Sequence, residues 1–236
     1  MRHGRGAVAI GVLARAPVPG ACKTRLAPLL GNAGAARVQH ALIERALALT
    51  CAAAPGAVTL FTTGEAPAAP WSAWQARFGV AVQAQASGDL GARMHAALEH
   101  LLGQADRALL IGTDAPALTP ADLHAAAQAL RRARMVFQPA EDGGYVLIGA
   151  RELHGAAFRD IPWSTGQVMA RTRRALAAAG WQPASDWLEL PQSFDVDRPA
   201  DLRRAVAAGL LPASLLDGAS RPDERADIPL SEGSWN

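Results

Sequence analysis

Several aspartates stand where a cation could be held against phosphate. Asp114 lies in Gly112-Thr113-Asp114-Ala115-Pro116, directly after the apolar run 108–111. If that run is a buried strand, Asp114 sits at its carboxyl end, where α/β sheets bind ligands. Mg²⁺ favours carboxylate oxygen and bridges to phosphates. The alternative is that Asp114 only caps a turn. A second acidic segment is Phe194-Asp195-Val196-Asp197-Arg198-Pro199. In extended backbone Asp195 and Asp197 share one side and Val196 takes the other. Like charges so placed repel unless a cation or water lies between them. One aspartate could cap the helix that starts near Pro199, but two exceed what a cap needs. Asp142 lies in Glu141-Asp142-Gly143-Gly144-Tyr145, where paired glycines let a ligand approach the backbone. An Asp-Gly hairpin turn would account for the same residues without function.

Cationic groups come from residues 14–26, which hold Arg15, Lys23 and Arg25. Loops after the first strand of an α/β sheet often bind phosphate, and arginine can grip two oxygens at once. There is no Walker A and no GxGxxG pattern. Pro17 and Pro19 remove two backbone donors, so a phosphate grip here must lean on side chains. The alternative is a solvated surface loop. Gly88, Asp89 and Arg93 lie at a helix entry whose N–H groups suit a base or phosphate, although Asp89 could simply cap that helix. The six histidines show no HExxH spacing, which argues against zinc. The absence of a G-x-S-x-G elbow argues against an α/β-hydrolase.

These segments need a frame. Apolar runs at 7–13, 57–62, 80–84, 108–111, 135–138 and 145–148 read as strands. Helical spacing covers 34–54, 68–78, 90–101, 164–179 and 199–208, and Thr119, Pro120 and Asp122 open a further helix. The alternation predicts a three-layer α/β fold, with a mostly parallel central sheet and helices on both faces. One domain is expected over residues 1–212, with a polar tail over 213–236. A chain of 236 residues can bury one sizeable core. The net charge of +2, without a basic block, argues against nucleic acid. No apolar run approaches the roughly 18 residues of a membrane span. Residues 1–13 read as a loop and a first strand rather than a signal peptide. Two cysteines in no metal-like spacing fit a reducing cytoplasm.

In order, A-R-A-P-V-P-G-x-x-K-T-R-L, G-D-L-G-x-R-M, L-L-I-G-T-D-A-P-x-L, P-A-E-D-G-G-Y-x-L-I-G, I-P-W-S-T and F-D-V-D-x-P-A-D-L resemble one bacterial family over residues 8–210. Its members are usually labelled glycosyltransferases of unassigned substrate, some of them for arsenosugar biosynthesis. More distantly the set is similar to the guanylyltransferases of molybdenum cofactor and of phospholactate. The resemblance implies a GT-A, or nucleotide-diphospho-sugar transferase, fold. It implies metal on Asp114, Asp195 and Asp197, and nucleotide phosphates on Lys23 and Arg25. The first loop lacks the glycines of the guanylyltransferases, which weighs against pyrophosphate-releasing chemistry.

The expected activity is Mg²⁺- or Mn²⁺-dependent glycosyl transfer from a nucleotide-diphospho-sugar to a small acceptor. Lys23 assists the departing diphosphate, and Asp142 is the candidate general base. Arg15, Lys23, Arg25, Gly88, Asp89 and Arg93 are expected on the nucleotide side. Gly143, Gly144, Tyr145, Trp163, Ser164 and Thr165 are expected on the sugar or acceptor side. The alternatives are nucleotidyl transfer from a nucleoside triphosphate and a catalytically silent nucleotide-binding module.

Overall fold

The computed structural model describes residues 7–64 and 70–217. Residues 65–69, within which the second expected helix was to begin, and 218–236 of the expected tail lie outside the described residues, as do residues 1–6. The strands are β1 (Val8–Arg15), β2 (Val58–Thr63), β3 (Ala81–Ala84), β4 (Arg107–Gly112), β5 (Met135–Pro139), β6 (Tyr145–Ala150) and β7 (Trp187–Glu189). They form one seven-stranded sheet in the order β3-β2-β1-β4-β6-β5-β7. β1 pairs in parallel with β2 and β4, β2 with β3, and β5 with β7. Only β6 runs against its neighbours β4 and β5. The mostly parallel sheet read from the alternation is therefore present, and the Glu141–Tyr145 segment joins β5 to β6 as a hairpin.

The helices are α1 (Ala27–Ala53), α2 (Trp71–Phe78), α3 (Leu90–Leu102), α4 (Pro120–Ala129), α5 (Val168–Ala178) and α6 (Pro199–Ala207). Alternation along the strands sends side chains to two cores. Ile10 and Val12 of β1 and Leu109 of β4 pack with Ile43 and Leu47 of α1 and Leu123 of α4. Ala9, Phe61, Leu110 and Ile148 face the other way, onto Leu98 and Leu101 of α3 and Leu176 of α5. A third cluster joins Leu29 and Val38 of α1 to Val196, to Leu202 of α6, and to Leu215. Leu215 lies in the short turn Ala213–Leu216, so packing continues past residue 212. No helix among the described residues is long and apolar enough to cross a membrane.

Three boundaries differ from the sequence reading. α1 begins at Ala27, and its ladder is interrupted at Gly31, whose φ of 69° only glycine adopts freely. α5 begins at Val168 and not at 164, because Ser164 has φ 63° and Thr165 Oγ1 donates to Pro162 O at 2.7 Å, which closes a turn there. β7 was not read, being only three residues long and too short to show a period. The start of α4 follows expectation: Asp122 N donates to Thr119 Oγ1 at 3.3 Å, and Thr119 N donates to Asp122 Oδ2 at 2.9 Å.

β1 is the hub of the sheet, and α3 packs over it at Gly11. A β-carbon there would come within 2.6 Å of Leu110, 2.9 Å of Phe61 and 3.0 Å of Leu101. Gly11→Val is expected to destabilise the protein by about 1–3 kcal/mol through overpacking. The urea midpoint should fall with little change in slope, and an unchanged midpoint would show that α3 yields freely.

Candidate active site

A cleft of about 710 Å³ opens along the carboxyl ends of the central strands. Its floor forms where three segments meet. Lys23, in the loop after β1, directs its ammonium to Asp114 Oδ1 at 2.9 Å and to Val196 O at 2.6 Å. The Val196 backbone N–H donates in turn to Asp114 O at 2.8 Å. The Val196 side chain is fully buried, so the residues on either side of it turn toward the cleft. Asp195 and Asp197 thus share one side, as their spacing predicts. Asp197 does not cap α6. Asp201 does, accepting from Asp197 N at 3.1 Å and Arg198 N at 2.7 Å.

Charge in the floor is unevenly distributed. Burial raises the Asp195 carboxyl, and Asp142 and Asp114 push the same way, so it reaches about 6 despite Lys23. Asp197 spends its Oδ2 on an ion pair with Arg25. The carboxylates that act on one another are therefore Asp114, Asp142 and Asp195. Oxygen-only donors of this kind suit a hard divalent cation. Among the described residues no three acidic, His or Cys side chains converge as a ready-made cage. Mg²⁺ does not require one, since it is commonly held by one or two carboxylates plus phosphate and water. Asp114 and Asp195 fit that role best.

The remaining predicted residues separate into two groups. Arg15, Arg25, Arg93, Asp142, Gly144, Tyr145, Trp163, Ser164 and Thr165 all line the cleft. Gly88, Asp89 and Gly143 are absent from its wall. Asp89 caps α3 by accepting from Ala92 N at 2.8 Å, and Gly88 O accepts from Arg93 Nε at 3.0 Å. These two shape the helix entry and leave Arg93 to face the cleft. At Gly143 a β-carbon would lie 2.2 Å from Gly166 O, so this glycine seats the hairpin on the 164–167 turn. Met169 N donating to Gly143 O at 2.9 Å fastens the same contact. Asp142 lines the cleft, and its Oδ1 accepts from Gly144 N at 2.8 Å. Burial raises the Tyr145 hydroxyl, whose contact is Met94 Sδ at 3.9 Å; it serves as wall and not as base. Gln39 and Gln85 also line the cleft and were not anticipated. The available signal for Gln39 was a polar residue beside Val38 and Leu42 on a buried helix face.

The loop after β1 is closed on itself. Val18 N donates to Ala16 O at 2.8 Å and Ala21 N to Val18 O at 3.0 Å, while Pro17 and Pro19 have no donor. Four amide donors, at residues 17 to 19 and 21, are thus lost or turned inward, and the stretch that follows holds Lys23 at φ 46° just before the turn Thr24–Leu26. Cys22 Sγ sits 3.3 Å from Val18 O, and burial pushes its thiol up, which keeps it protonated.

Comparison with known proteins gives the family and the fold. The model of the family described as "Uncharacterized protein conserved in bacteria (DUF2064)" matches residues 46–165. The chain belongs to this family. It is also 35% identical, over 211 residues, to a phosphoenolpyruvate guanylyltransferase of Geodermatophilus obscurus, covering 85% of this chain and 90% of the relative. A solved structure from Desulfovibrio desulfuricans G20, provisionally described as a nucleotide-diphospho-sugar transferase, superposes with a TM-score of 0.74 at 26% identity. That match covers 91% of this chain and 98% of the other. The 4-diphosphocytidyl-2C-methyl-D-erythritol synthase of Anaerococcus prevotii shares the fold with a TM-score of 0.57 at 11% identity, over 85% of this chain and 95% of its own. The fold of this DUF2064 member is thus that of the nucleotide-diphospho-sugar transferases, and the chain is a transferase.

The raised Asp195 carboxyl gives a test on metal-free protein. Its folded value of about 6 exceeds the roughly 3.9 of an unfolded aspartate. The folded state then binds the extra proton between these values, so the stability it contributes is complete below pH ~4 and lost as pH rises through ~6. In EDTA, Asp195→Asn should therefore melt close to wild type near pH 4 and above it at pH 7–8. Equal melting at both pH values would mean that Asp195 carries no such strain.

Proposed function

We propose that the cleft transfers a glycosyl group from a nucleotide-diphospho-sugar to a small acceptor, with Mg²⁺ or Mn²⁺. The observation that carries this reading is the Lys23–Asp114–Asp195 floor, where a buried ammonium meets a half-exposed carboxylate at the cleft. Such a floor suits a departing diphosphate. A cation on Asp114 and Asp195 would neutralise charge on the diphosphate as the bond from the sugar carbon to its oxygen breaks. Lys23 has three N–H groups and commits two to Asp114 and Val196 O, leaving one for a phosphate oxygen. Arg25 and Arg15 stand at the rim for the outer oxygens. Asp142 Oδ2 receives the acceptor's proton. Tyr145, Trp163, Ser164 and Thr165 wall the sugar and acceptor side.

A second reading has its own support. The 35% identical relative is a guanylyltransferase, which favours nucleotidyl transfer from a triphosphate with pyrophosphate leaving. The same lysine and aspartates serve that reaction. A panel of nucleotide sugars and nucleoside triphosphates with Mg²⁺ or Mn²⁺ separates the two. Slow release of nucleoside diphosphate from a nucleotide sugar supports glycosyl transfer, whereas pyrophosphate release in the presence of small phosphorylated acids supports nucleotidyl transfer. Binding without turnover on any donor would leave a nucleotide-binding module.

In either reaction Asp114→Asn should lower turnover by about 10² or more, the scale of losing one preorganised electrostatic contact. The variant should stay folded, because the amide still accepts from Lys23. Turnover near wild type in the folded variant would remove Asp114 from the chemistry.

A further inference from the structure

Charge is not spread evenly around the cleft. Its cationic residues are Arg15, Lys23, Arg25 and Arg93. The first three belong to the end of β1 and the segment after it. Lys23 is committed to Asp114 and Val196 O, and Arg25 to Asp197. Arg93 reaches from α3 to Gly88 O, just past β3. The wall beyond β4 in the strand order comes from the β5–β6 hairpin and the turn before α5. It includes Asp142, Tyr145, Val146, Trp163, Ser164 and Val168. Among the described residues this wall presents a carboxylate and no cation.

The turn in that wall contains a strained residue. Ser164 has φ 63°, a backbone that glycine takes freely and that a residue with a β-carbon takes at a cost. Thr165 Oγ1 is used within the turn, donating to Pro162 O at 2.7 Å and accepting from Gln167 N at 3.3 Å. The Ser164 hydroxyl bonds no described residue, and Ser164 lines the cleft. The turn is seated against Asp142. A β-carbon at Gly166 would lie 3.1 Å from Asp142 O, and one at Gly143 would lie 2.2 Å from Gly166 O. An uncommitted hydroxyl on a strained backbone, next to a carboxylate, is more than the turn itself needs.

These groups set what a ligand must bring. Asp142 accepts hydrogen bonds and repels anions, while Ser164 can donate or accept. A phosphate or carboxylate placed here would lose water and meet Asp142 with no cation of the wall to balance it. An ammonium would satisfy Asp142 but has no lone pair for the serine proton. A hydroxyl can give its hydrogen to Asp142, and a neighbouring hydroxyl can accept from Ser164. We propose that this wall takes an uncharged polyhydroxylated acceptor, a sugar or polyol, through Asp142 and Ser164, and turns away phosphorylated and carboxylated acids. This rests on the reading that puts the acceptor beside Asp142. The carbon skeleton between the two hydroxyls would lie against Tyr145, Val146 and Trp163.

The test is saturation-transfer NMR on the protein with Mg²⁺ and pyrophosphate, which fills the Lys23 side so that an added acid reports on the wall beyond it. Mannitol, glucose and inositol are the neutral probes. They should receive saturation, and phosphoenolpyruvate, 3-phosphoglycerate and propylamine should not. Ser164→Ala should weaken binding of the neutral probes about threefold to tenfold, the scale of one lost hydrogen bond. Ser164→Gly, which takes the φ of the turn without strain, should lose as much. Saturation of either acid, or of the amine in preference to the neutral probes, overturns the proposal. So does the absence of transfer to every neutral probe, or neutral binding unchanged in both Ser164 variants. If pyrophosphate fails to raise the melting temperature, the reading of the phosphate side fails, and the same comparison in Mg²⁺ alone still decides the wall.

Discussion

The ammonium of Lys23 is the point on which the site depends. It comes from the loop after β1, bonds the aspartate that ends β4, and holds the backbone of a segment 173 residues away. Its side chain is only 5% exposed. Asp114 is half exposed, so water screens its side of the pair, and the buried ammonium is the member that depends on the contact. The same knot makes the acidic segment part of the floor: with Val196 anchored by its amide, its carbonyl and its buried side chain, Asp195 and Asp197 have no choice of side. The third core cluster, built from the start of α1, α6 and Val196, is the packing that backs this tie.

The two sides of the cleft are made differently. On the Lys23 side, side chains do the positioning, with the ammonium fixed between Asp114 and Val196 O. On the Tyr145 and Trp163 side, backbone does it. Gly143 abuts Gly166, and Gly91 of α3 abuts Phe158 O and the Trp163 ring, each at a distance no β-carbon would tolerate. Tyr145 packs edge-on against Phe137 and Trp163, which braces the wall from the core side. Arg204 of α6 holds Glu141 by two bonds of 2.7 and 3.0 Å and lies 3.9 Å from the Phe194 ring, so the hairpin and the acidic segment are joined outside the cleft as well.

Much of this was legible in the sequence, for physical reasons that differ by element. Buried strands announce themselves as apolar runs, and Thr119-Pro120-Ala121-Asp122 reads as a helix start because each residue satisfies a separate terminal requirement. Asp114 was legible because a carboxylate straight after a buried strand stands at the sheet edge where such folds bind their ligands. Asp89 and Gly143 were read as ligand contacts and instead shape the walls, since a cap and a ligand site draw on the same residue types. The division of labour between Asp195 and Asp197 was not legible, because it depends on which of them Arg25 reaches. Gln39 and Gln85 left little trace: the carbonyls that hold their amides, Arg15 O for one and Ala14 O and Phe61 O for the other, are brought together only by the fold.

An acidic floor with one buried lysine is a poor arrangement for stability alone. Asp195 is held partly buried beside Asp142 and Asp114, and burial and repulsion both disfavour its charged form. A sheet edge with no task would be stabilised by an asparagine at that position. The retained carboxylate makes sense if its cost is relieved when a cation and a phosphate arrive, because a ligand that binds only the folded form returns the stability the empty site lacks. The geometry fits such relief in stages. Lys23 already neutralises one face of Asp114, Arg25 neutralises Asp197, and Asp195 is left as the unbalanced charge nearest both Asp114 and Asp142. A cation held by Asp114 and Asp195 would supply the positive charge that this group of carboxylates lacks.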